Sequence, residues 1–284
     1  MTNPTTTIHS LLRVAAKDSG ASAHEAHTAA SCAVNIARKH GLGHMVARAL
    51  NAQAKAAKRV SREGAMVVDE PVVPDSIVDA FVNPLYDLWN KTHQGKSGGW
   101  SLRDFDDRRV GVKHYAWAIP TEEAIEAIVE CGPVVEIGAG SGYWASLIAQ
   151  KGGDVVAYDQ HDPESNPDYP FEQGWFEVQR GGPEKAAEHS DRALFLCWPP
   201  YDAPFAADCV KAYQGDTIIF VGEGSGGCTA DNDFFRAVGE RGCYWGDEEE
   251  PKEPPSDEWE QVKSVDIPQW DGIHDYMTIY RRKK

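Results

Sequence analysis

Long apolar runs are absent from this sequence of 284 residues, although 42% of its residues are hydrophobic. A transmembrane helix needs about 20 consecutive, predominantly apolar residues, and no segment approaches that length. Residues 1–7 also lack the basic stretch followed by an apolar stretch that marks a secretory signal. The sequence therefore excludes a membrane-spanning protein and predicts a cytoplasmic one with no membrane contact.

Cysteine is scarce and its spacing is uninformative, which argues against a metal or disulfide framework. The six cysteines form no Cys-x-x-Cys pair, and several stand inside apolar runs, where a thiol behaves as a small hydrophobic side chain. We therefore expect free, mostly buried thiols and no metal site.

A nucleoside triphosphate site is also excluded. The loop 94–99 contains Gly95-Lys96-Ser97, but a phosphate-binding loop requires another glycine five residues before Gly95, and Asn90 stands there. No strand precedes this segment.

Positive charge is sparse except at the N-terminus. Residues 1–65 contain nine basic and three acidic side chains, whereas residues 66–284 contain 19 basic and 41 acidic ones. Such asymmetry indicates two units with different surfaces, and the acidic larger unit would repel a phosphate backbone. The basic helix expected at 44–62 is either a solvated face or a nucleic-acid or protein contact.

The first 65 residues have helical spacing and form a predicted small domain. A Leu-Leu helix near Leu11, the segment His24-Glu25-Ala26 and the ending His40-Gly41-Leu42 resemble a small helical domain of unknown function at the N-terminus of bacterial and phage proteins. This resemblance implies a bacterial or phage source and offers no activity to carry over. Residues 66–114 are predicted to be a linker or cap, with a helix including Ile77 to Trp89.

From about residue 119, apolar strands alternate with helices, which predicts a parallel sheet covered on both faces. A helix with Thr121 as its N-cap precedes the first strand, and another is predicted over 143–150. The predicted strands are 134–137, 154–158, 176–178, 193–197 and 217–221, followed by an antiparallel pair at 259–265 and 275–281.

The glycine-rich turn Glu136-Ile137-Gly138-Ala139-Gly140-Ser141-Gly142 follows the first of these strands. A dinucleotide fingerprint would place its last glycine at position 143, which is Tyr143. Closely spaced glycines let the backbone approach a ligand, and the next helix N-terminus would face the ligand's carboxylate end. Asp159 ends the second strand, where its carboxylate can accept hydrogen bonds from ribose hydroxyls.

This segment and Asp159 resemble the first motif and the ribose-binding acid of the class I S-adenosylmethionine (SAM)-dependent methyltransferases. The resemblance covers residues 115–284 and implies a seven-stranded Rossmann-like sheet that ends in an antiparallel pair. It implies SAM as the cofactor, and the aromatic segment before the domain resembles the family's cover over the methionine end. The expected cofactor-binding residues are Tyr115, Glu136, Gly138, Ala139, Gly140, Gly142, Tyr143 and Asp159.

Trp198-Pro199-Pro200-Tyr201, after the fourth strand, resembles the Asn/Asp-Pro-Pro-Tyr motif of methyltransferases that act on planar amines. Tryptophan has no hydrogen-bond acceptor, so the polar contact that defines the motif is missing. The segment is either a rigid wall of the cofactor pocket or a stacking surface for the acceptor. We expect these four residues in the catalytic site, with Glu223 after the fifth strand as the preferred general base.

The sequence predicts a SAM-dependent methyltransferase that acts on a small molecule or protein rather than on nucleic acid. Two alternatives stay open: a non-catalytic SAM-binding or interaction module, and a nucleic-acid amino-methyltransferase with a degenerate motif.

Overall fold

The computed structural model describes residues 81–93, 102–166, 171–244 and 250–284. The chain divides into two compact units, residues 1–87 and 88–284. The predicted N-terminal helical domain at 1–65, including the basic helix at 44–62, lies outside the described residues. The predicted domain boundaries after residues 65 and 114 therefore stay predictions.

The described residues form six α-helices and seven strands. The helices are α1 (Pro84–His93), α2 (Leu102–His114), α3 (Glu122–Val129), α4 (Tyr143–Gln150), α5 (Phe205–Ala212) and α6 (Asn232–Ala237). The strands are β1 (Val134–Ile137), β2 (Val155–Asp159), β3 (Val178–Arg180), β4 (Ala193–Cys197), β5 (Thr217–Gly222), β6 (Trp259–Asp266) and β7 (Tyr276–Arg282). Short 3₁₀ helices cover Pro163–Ser165 and Pro183–Glu188.

The strands form one sheet in the order β3-β2-β1-β4-β5-β7-β6. β1 to β5 are parallel to their neighbours, and β7 pairs antiparallel with both β5 and β6. The predicted seven-stranded Rossmann-like fold with a terminal antiparallel pair is confirmed. The strand order reverses between β1 and β4, and a doubly wound sheet opens its ligand crevice at such a point, outside the carboxyl ends of the strands.

Local sequence signals explain where several elements begin. Thr121 caps α3 as predicted, because its hydroxyl oxygen accepts a hydrogen bond from the Ala124 N–H at 3.1 Å. Asn83 caps α1 in the same way, with its side-chain oxygen 3.0 Å from the Tyr86 N–H. The expected helix that includes Ile77 is only partly right: residues 81–83 are not helical, because Pro84 favours the first helical turn. α2 was not predicted.

The central strands are buried on both faces, as their continuous apolar runs predict. Every residue of β1 and β5 is buried. On one face, Phe220 of β5 packs against Phe234 and Phe235 of α6, with ring centroids 4.8 Å and 5.9 Å apart. Among the described helices none is both long enough and apolar enough to span a membrane.

This packing makes a stability prediction. Phe220→Ala should lower the free energy of unfolding by about 3–5 kcal/mol, because it opens a cavity against two rings that cannot collapse into it. Val262→Ala on β6 is the control, since Val262 is exposed and such substitutions change stability by about 0.5 kcal/mol or less. Urea denaturation measures both. If both substitutions lower the free energy of unfolding by the same small amount, Phe220 does not lie in a tightly packed core.

Candidate functional site

A cavity of about 300 Å³ lies at the point where the strand order reverses. Its walls come from the segment before α3, the glycine turn after β1, the ends of β2 and β4, and the loops that follow them. The lining residues are Tyr115, Ala116, Trp117, Glu136, Gly138, Ala139, Gly140, Ser141, Tyr143, Trp144, Asp159, Gln160, His161, Asn166, Phe171, Cys197, Trp198, Pro199, Pro200, Tyr201, Phe205 and Cys228.

Most of the predicted site residues therefore surround one cavity. Two do not line it. Gly142 is the N-cap of α4 and has a left-handed backbone, at φ 72°. A Cβ atom there would lie within 3 Å of Phe176 and Val178, so this glycine permits the close packing of the turn against the chain that leads into β3. The roles assigned to the lining residues remain predictions.

Glu223 also lies outside the cavity lining, and both of its oxygens are already occupied. The backbone N–H groups of Cys228 and His274 donate to them at 2.7 Å and 2.8 Å. Burial raises the pKa of Glu223, but these hydrogen bonds outweigh it, so that the pKa lies below its ordinary value. A carboxylate held in this way stabilises the loop after β5 and is poorly suited to accept a proton from a substrate.

Asp159 joins the glycine turn to the loop after β2. One carboxylate oxygen accepts the Gly140 N–H and the other accepts the His161 N–H, both at 2.8 Å. The side chain is 8% exposed and lines the cavity. Because a carboxylate offers about four acceptor positions, two remain for hydroxyl groups of a ligand.

The first amide groups of the glycine turn are used within the protein. The N–H groups of Gly138 and Ala139 both donate to the Tyr158 carbonyl at 2.9 Å, and the Gly140 N–H donates to Asp159. These three amides hold the turn in place and do not point at a ligand. What the turn offers is space: Gly140 has φ 53°, and a Cβ atom there would lie 2.7 Å from the Phe171 ring.

Glu136 is an almost fully buried carboxyl group in the cavity lining, at 1% exposure. Burial raises its pKa, a hydrogen bond from the Ala145 N–H partly opposes this rise and nearby Asp159 adds to it, so that the pKa lies at about 8. Among the described residues its Oε2 atom has no hydrogen-bond partner. A buried acceptor left without a partner costs free energy, so this carboxyl group is suited to a ligand that brings a donor or a positive charge.

Trp144 supplies a second unsatisfied polar atom, which the sequence analysis missed. It is the second residue of α4, it is buried and it lines the cavity. Its indole N–H has no acceptor within the described part of the chain. The cavity walls thus hold both an unpaired acceptor and an unpaired donor, the pair that an ammonium and a carboxylate group would satisfy together.

Two aromatic side chains, Tyr115 and Tyr143, line the cavity and pack against a third, Trp175, which does not line it. Tyr115, Tyr143 and Trp175 make a cluster with centroids 5.1–5.3 Å apart. Ser141 fixes this cluster to the glycine turn. Its hydroxyl donates to the Tyr115 backbone carbonyl, and its own backbone carbonyl accepts the backbone N–H of Trp175. Trp175 stands in the segment 171–177, which forms no helix or strand. Nothing in the sequence therefore indicated that this side chain packs beside the cavity.

No family model matches the chain, and no curated protein matches it. A solved structure from "Conversion of a Disulfide Bond into a Thioacetal Group during Echinomycin Biosynthesis" is 12% identical, covers 56% of this chain and 81% of its own, and has a TM-score of 0.30. A crystal structure of an MtNAS mutant in complex with S-adenosylmethionine is 8% identical, covers 99% of this chain and 92% of its own, and has a TM-score of 0.27. Both TM-scores are low, so neither structure carries an argument about this chain.

The burial of Glu136 predicts how stability depends on pH. The unfolded carboxyl group loses its proton above its ordinary pKa of 4.5, whereas the folded one keeps it until about pH 8. The contribution of this group to stability is therefore present below pH 4.5 and is lost as the pH rises to about 8. Glu136→Gln, which does not titrate, should gain stability relative to the wild type between pH 5 and pH 8.

Urea denaturation across this pH range measures the difference, with Glu123→Gln on the exposed side of α3 as the control. A difference between Glu136→Gln and the wild type that stays constant from pH 5 to pH 8 would show that Glu136 ionises normally in the folded protein.

Proposed function

We propose that this chain is a SAM-dependent methyltransferase. The observation that supports the proposal most is the joint presence of Glu136 and Asp159 in one cavity at the reversal of the strand order. Two neighbouring, poorly solvated carboxyl groups favour a cationic ligand. A nucleoside sulfonium that also carries an amino-acid group meets that requirement and supplies hydroxyl groups for the second acid.

The residues present fit SAM group by group. The two free acceptor positions of Asp159 suit the ribose hydroxyls, and the unpaired Oε2 atom of Glu136 suits the ammonium group. The unpaired indole N–H of Trp144 suits the carboxylate. Gly138 and Gly140 keep the floor of the cavity free of side chains. When bound, SAM supplies a methyl group that is already activated by the sulfonium charge.

The chain's own contribution to such a transfer is mainly placement. The reaction needs the acceptor atom in line with the methyl–sulfur bond, and holding two reactants in that geometry supplies much of the rate enhancement. The loop Trp198 to Tyr201 follows β4, the strand next to β1, so it lies beside the glycine turn and lines the same cavity. Pro199 and Pro200 stiffen it. Tyr201 is 63% exposed and marks the open side through which an acceptor would enter.

A small molecule or protein is favoured over nucleic acid as the acceptor. Residues 66–284 carry a large excess of acidic side chains, and a phosphate backbone would be repelled. Trp198 occupies the place where an amine-modifying enzyme would carry an acceptor side chain. The basic segment 44–62 remains the candidate contact for a nucleic acid or a protein partner.

Calorimetric titration with SAM tests the cofactor. Asp159→Ala should weaken binding by about 10- to 100-fold, the effect of losing hydrogen bonds to a charged group. Gly140→Ala should also weaken it, because the left-handed turn and Phe171 would both have to move. Asp162→Ala is the matched control, since Asp162 is an exposed acid three residues beyond Asp159. Absence of wild-type binding, or equal binding by wild type and Asp159→Ala, would overturn the proposal.

Transfer of a labelled methyl group into fractionated cell extract separates an enzyme from a binding module. We expect label in the small-molecule or protein fraction and its loss in Asp159→Ala. Label only in nucleic acid would favour the alternative amino-methyltransferase. Binding of SAM without label in any fraction would favour the non-catalytic module.

A further inference from the structure

A second cluster of side chains adjoins the cavity and contains no residue of the glycine turn. Trp198 and Trp117 both line the cavity, and their rings stack with centroids 4.9 Å apart at an interplanar angle of 19°. The Arg108 guanidinium lies 5.3 Å from the Trp117 ring and 5.8 Å from the Trp198 ring. The indole N–H of Trp198 donates to Asp275 Oδ1 at 2.8 Å.

Trp198 adopts a backbone conformation that needs external support. Its φ is 50°, in the left-handed region that a large side chain rarely occupies. Such a strained conformation persists only where the surroundings over-determine it. Here the Trp198 N–H donates to the Val221 carbonyl at 2.8 Å, and the side chain is fixed independently by Asp275.

Asp275 is 1% exposed and immediately precedes β7. Burial raises its pKa, the Trp198 hydrogen bond opposes this rise, Glu223 adds to it and Arg108 opposes it, so that the pKa lies at about 7. Its Oδ2 atom has no partner among the described residues, so the indole N–H is the main polar contact that compensates its burial. A buried acid that is this poorly compensated is costly to stability and needs another reason to be there.

We infer that Asp275 is a positioning residue that holds the Trp198–Trp117 stack as the acceptor wall of the cavity, and that this wall selects flat, aromatic methyl acceptors. Trp198 cannot accept a hydrogen bond from an amine, and its single donor is used by Asp275. What the stack presents to the cavity is indole surface, which favours planar aromatic groups through burial and ring contact. This inference rests on the proposed function, because the cavity has a methyl acceptor only if the chain transfers a methyl group.

Near-ultraviolet circular dichroism tests the contact without any ligand, because indoles in a fixed, stacked geometry have characteristic bands. Asp275→Ala should lose the part of the tryptophan signal that the Trp198–Trp117 stack contributes, which is the part that Trp198→Leu removes. Asp275→Asn should keep most of it, since an amide oxygen can still accept the indole N–H. Asp216→Asn is the control, an exposed acid that pairs with Arg281 on the surface. An unchanged spectrum in a folded Asp275→Ala protein would overturn the inference.

Recognition is tested with two matched probes, 2-naphthol and its saturated counterpart decahydro-2-naphthol, with S-adenosylhomocysteine present. Saturation-transfer NMR and calorimetry should show that the wild type prefers the flat probe by about two- to tenfold. Trp198→Leu and Trp117→Leu should abolish the preference, Asp275→Ala should reduce it, and Asp275→Asn should restore it. These variants keep the test open if one of them fails to fold.

The two proposals fail in different ways. If the wild type does not bind SAM, the proposed function is wrong, while the dichroism of the Asp275 variants still decides whether Asp275 positions the stack. If SAM binds normally but the wild type shows no preference for 2-naphthol, or if Trp198→Leu keeps that preference, the acceptor wall is wrong and the proposed function stands.

Discussion

The carboxylate of Asp159 connects the two loops on which the cavity depends. It accepts one backbone N–H from the glycine turn after β1 and one from the loop after β2, so neither loop can move without breaking a charge-assisted hydrogen bond. The glycine turn in turn fixes Glu136 at its start and α4 at its end. Ser141 extends the connection to the aromatic cluster of Tyr115 and Trp175. The shape of the cavity therefore rests on one acid that also faces its interior.

This arrangement places the cost of burial where a ligand can relieve it. Glu136 keeps its proton to an unusually high pH because it is almost fully buried beside another acid. A neutral ligand would leave the carboxyl group protonated, whereas a cation would lower its pKa and stabilise the carboxylate by Coulomb attraction in a poorly solvated cavity. The proposal of a positively charged ligand therefore rests on the burial and the charge of these two acids.

The sequence was sufficient to predict the sheet, because strands that are buried on both faces appear in it as continuous apolar runs. Continuous apolar runs such as that of β5 and the glycine-punctuated turn gave the strand bounds within about two residues. It was also sufficient to predict that most of the expected cofactor-binding residues lie around one cavity, since the carboxyl ends of adjacent parallel strands meet at one edge. The direction of the turn's amide groups could not be predicted, because it depends on the Tyr158 carbonyl of a neighbouring strand.

Other parts of the site depend on contacts between residues far apart in the chain. Asp275 lies 77 residues from Trp198, and no periodicity or motif links the two. Glu223 stood at the carboxyl end of a strand, the position that favoured it as a base, but its environment is set by the N–H groups of Cys228 and His274. Position along a strand predicts where a side chain lies, whereas its protonation state depends on partners that only the fold supplies.

Trp198 gives the loop after β4 a chemistry different from that of the Asn/Asp-Pro-Pro-Tyr motif that its sequence resembles. With Asn or Asp there, the side chain would present an acceptor to a planar amine. Tryptophan removes that acceptor and sends its only donor to a buried acid instead, and its large ring requires a partner, which Trp117 provides. A loop that had merely lost its function would have no need of a strained backbone, a stacked partner and a costly buried carboxyl group. Their presence together favours a different acceptor over a lost activity.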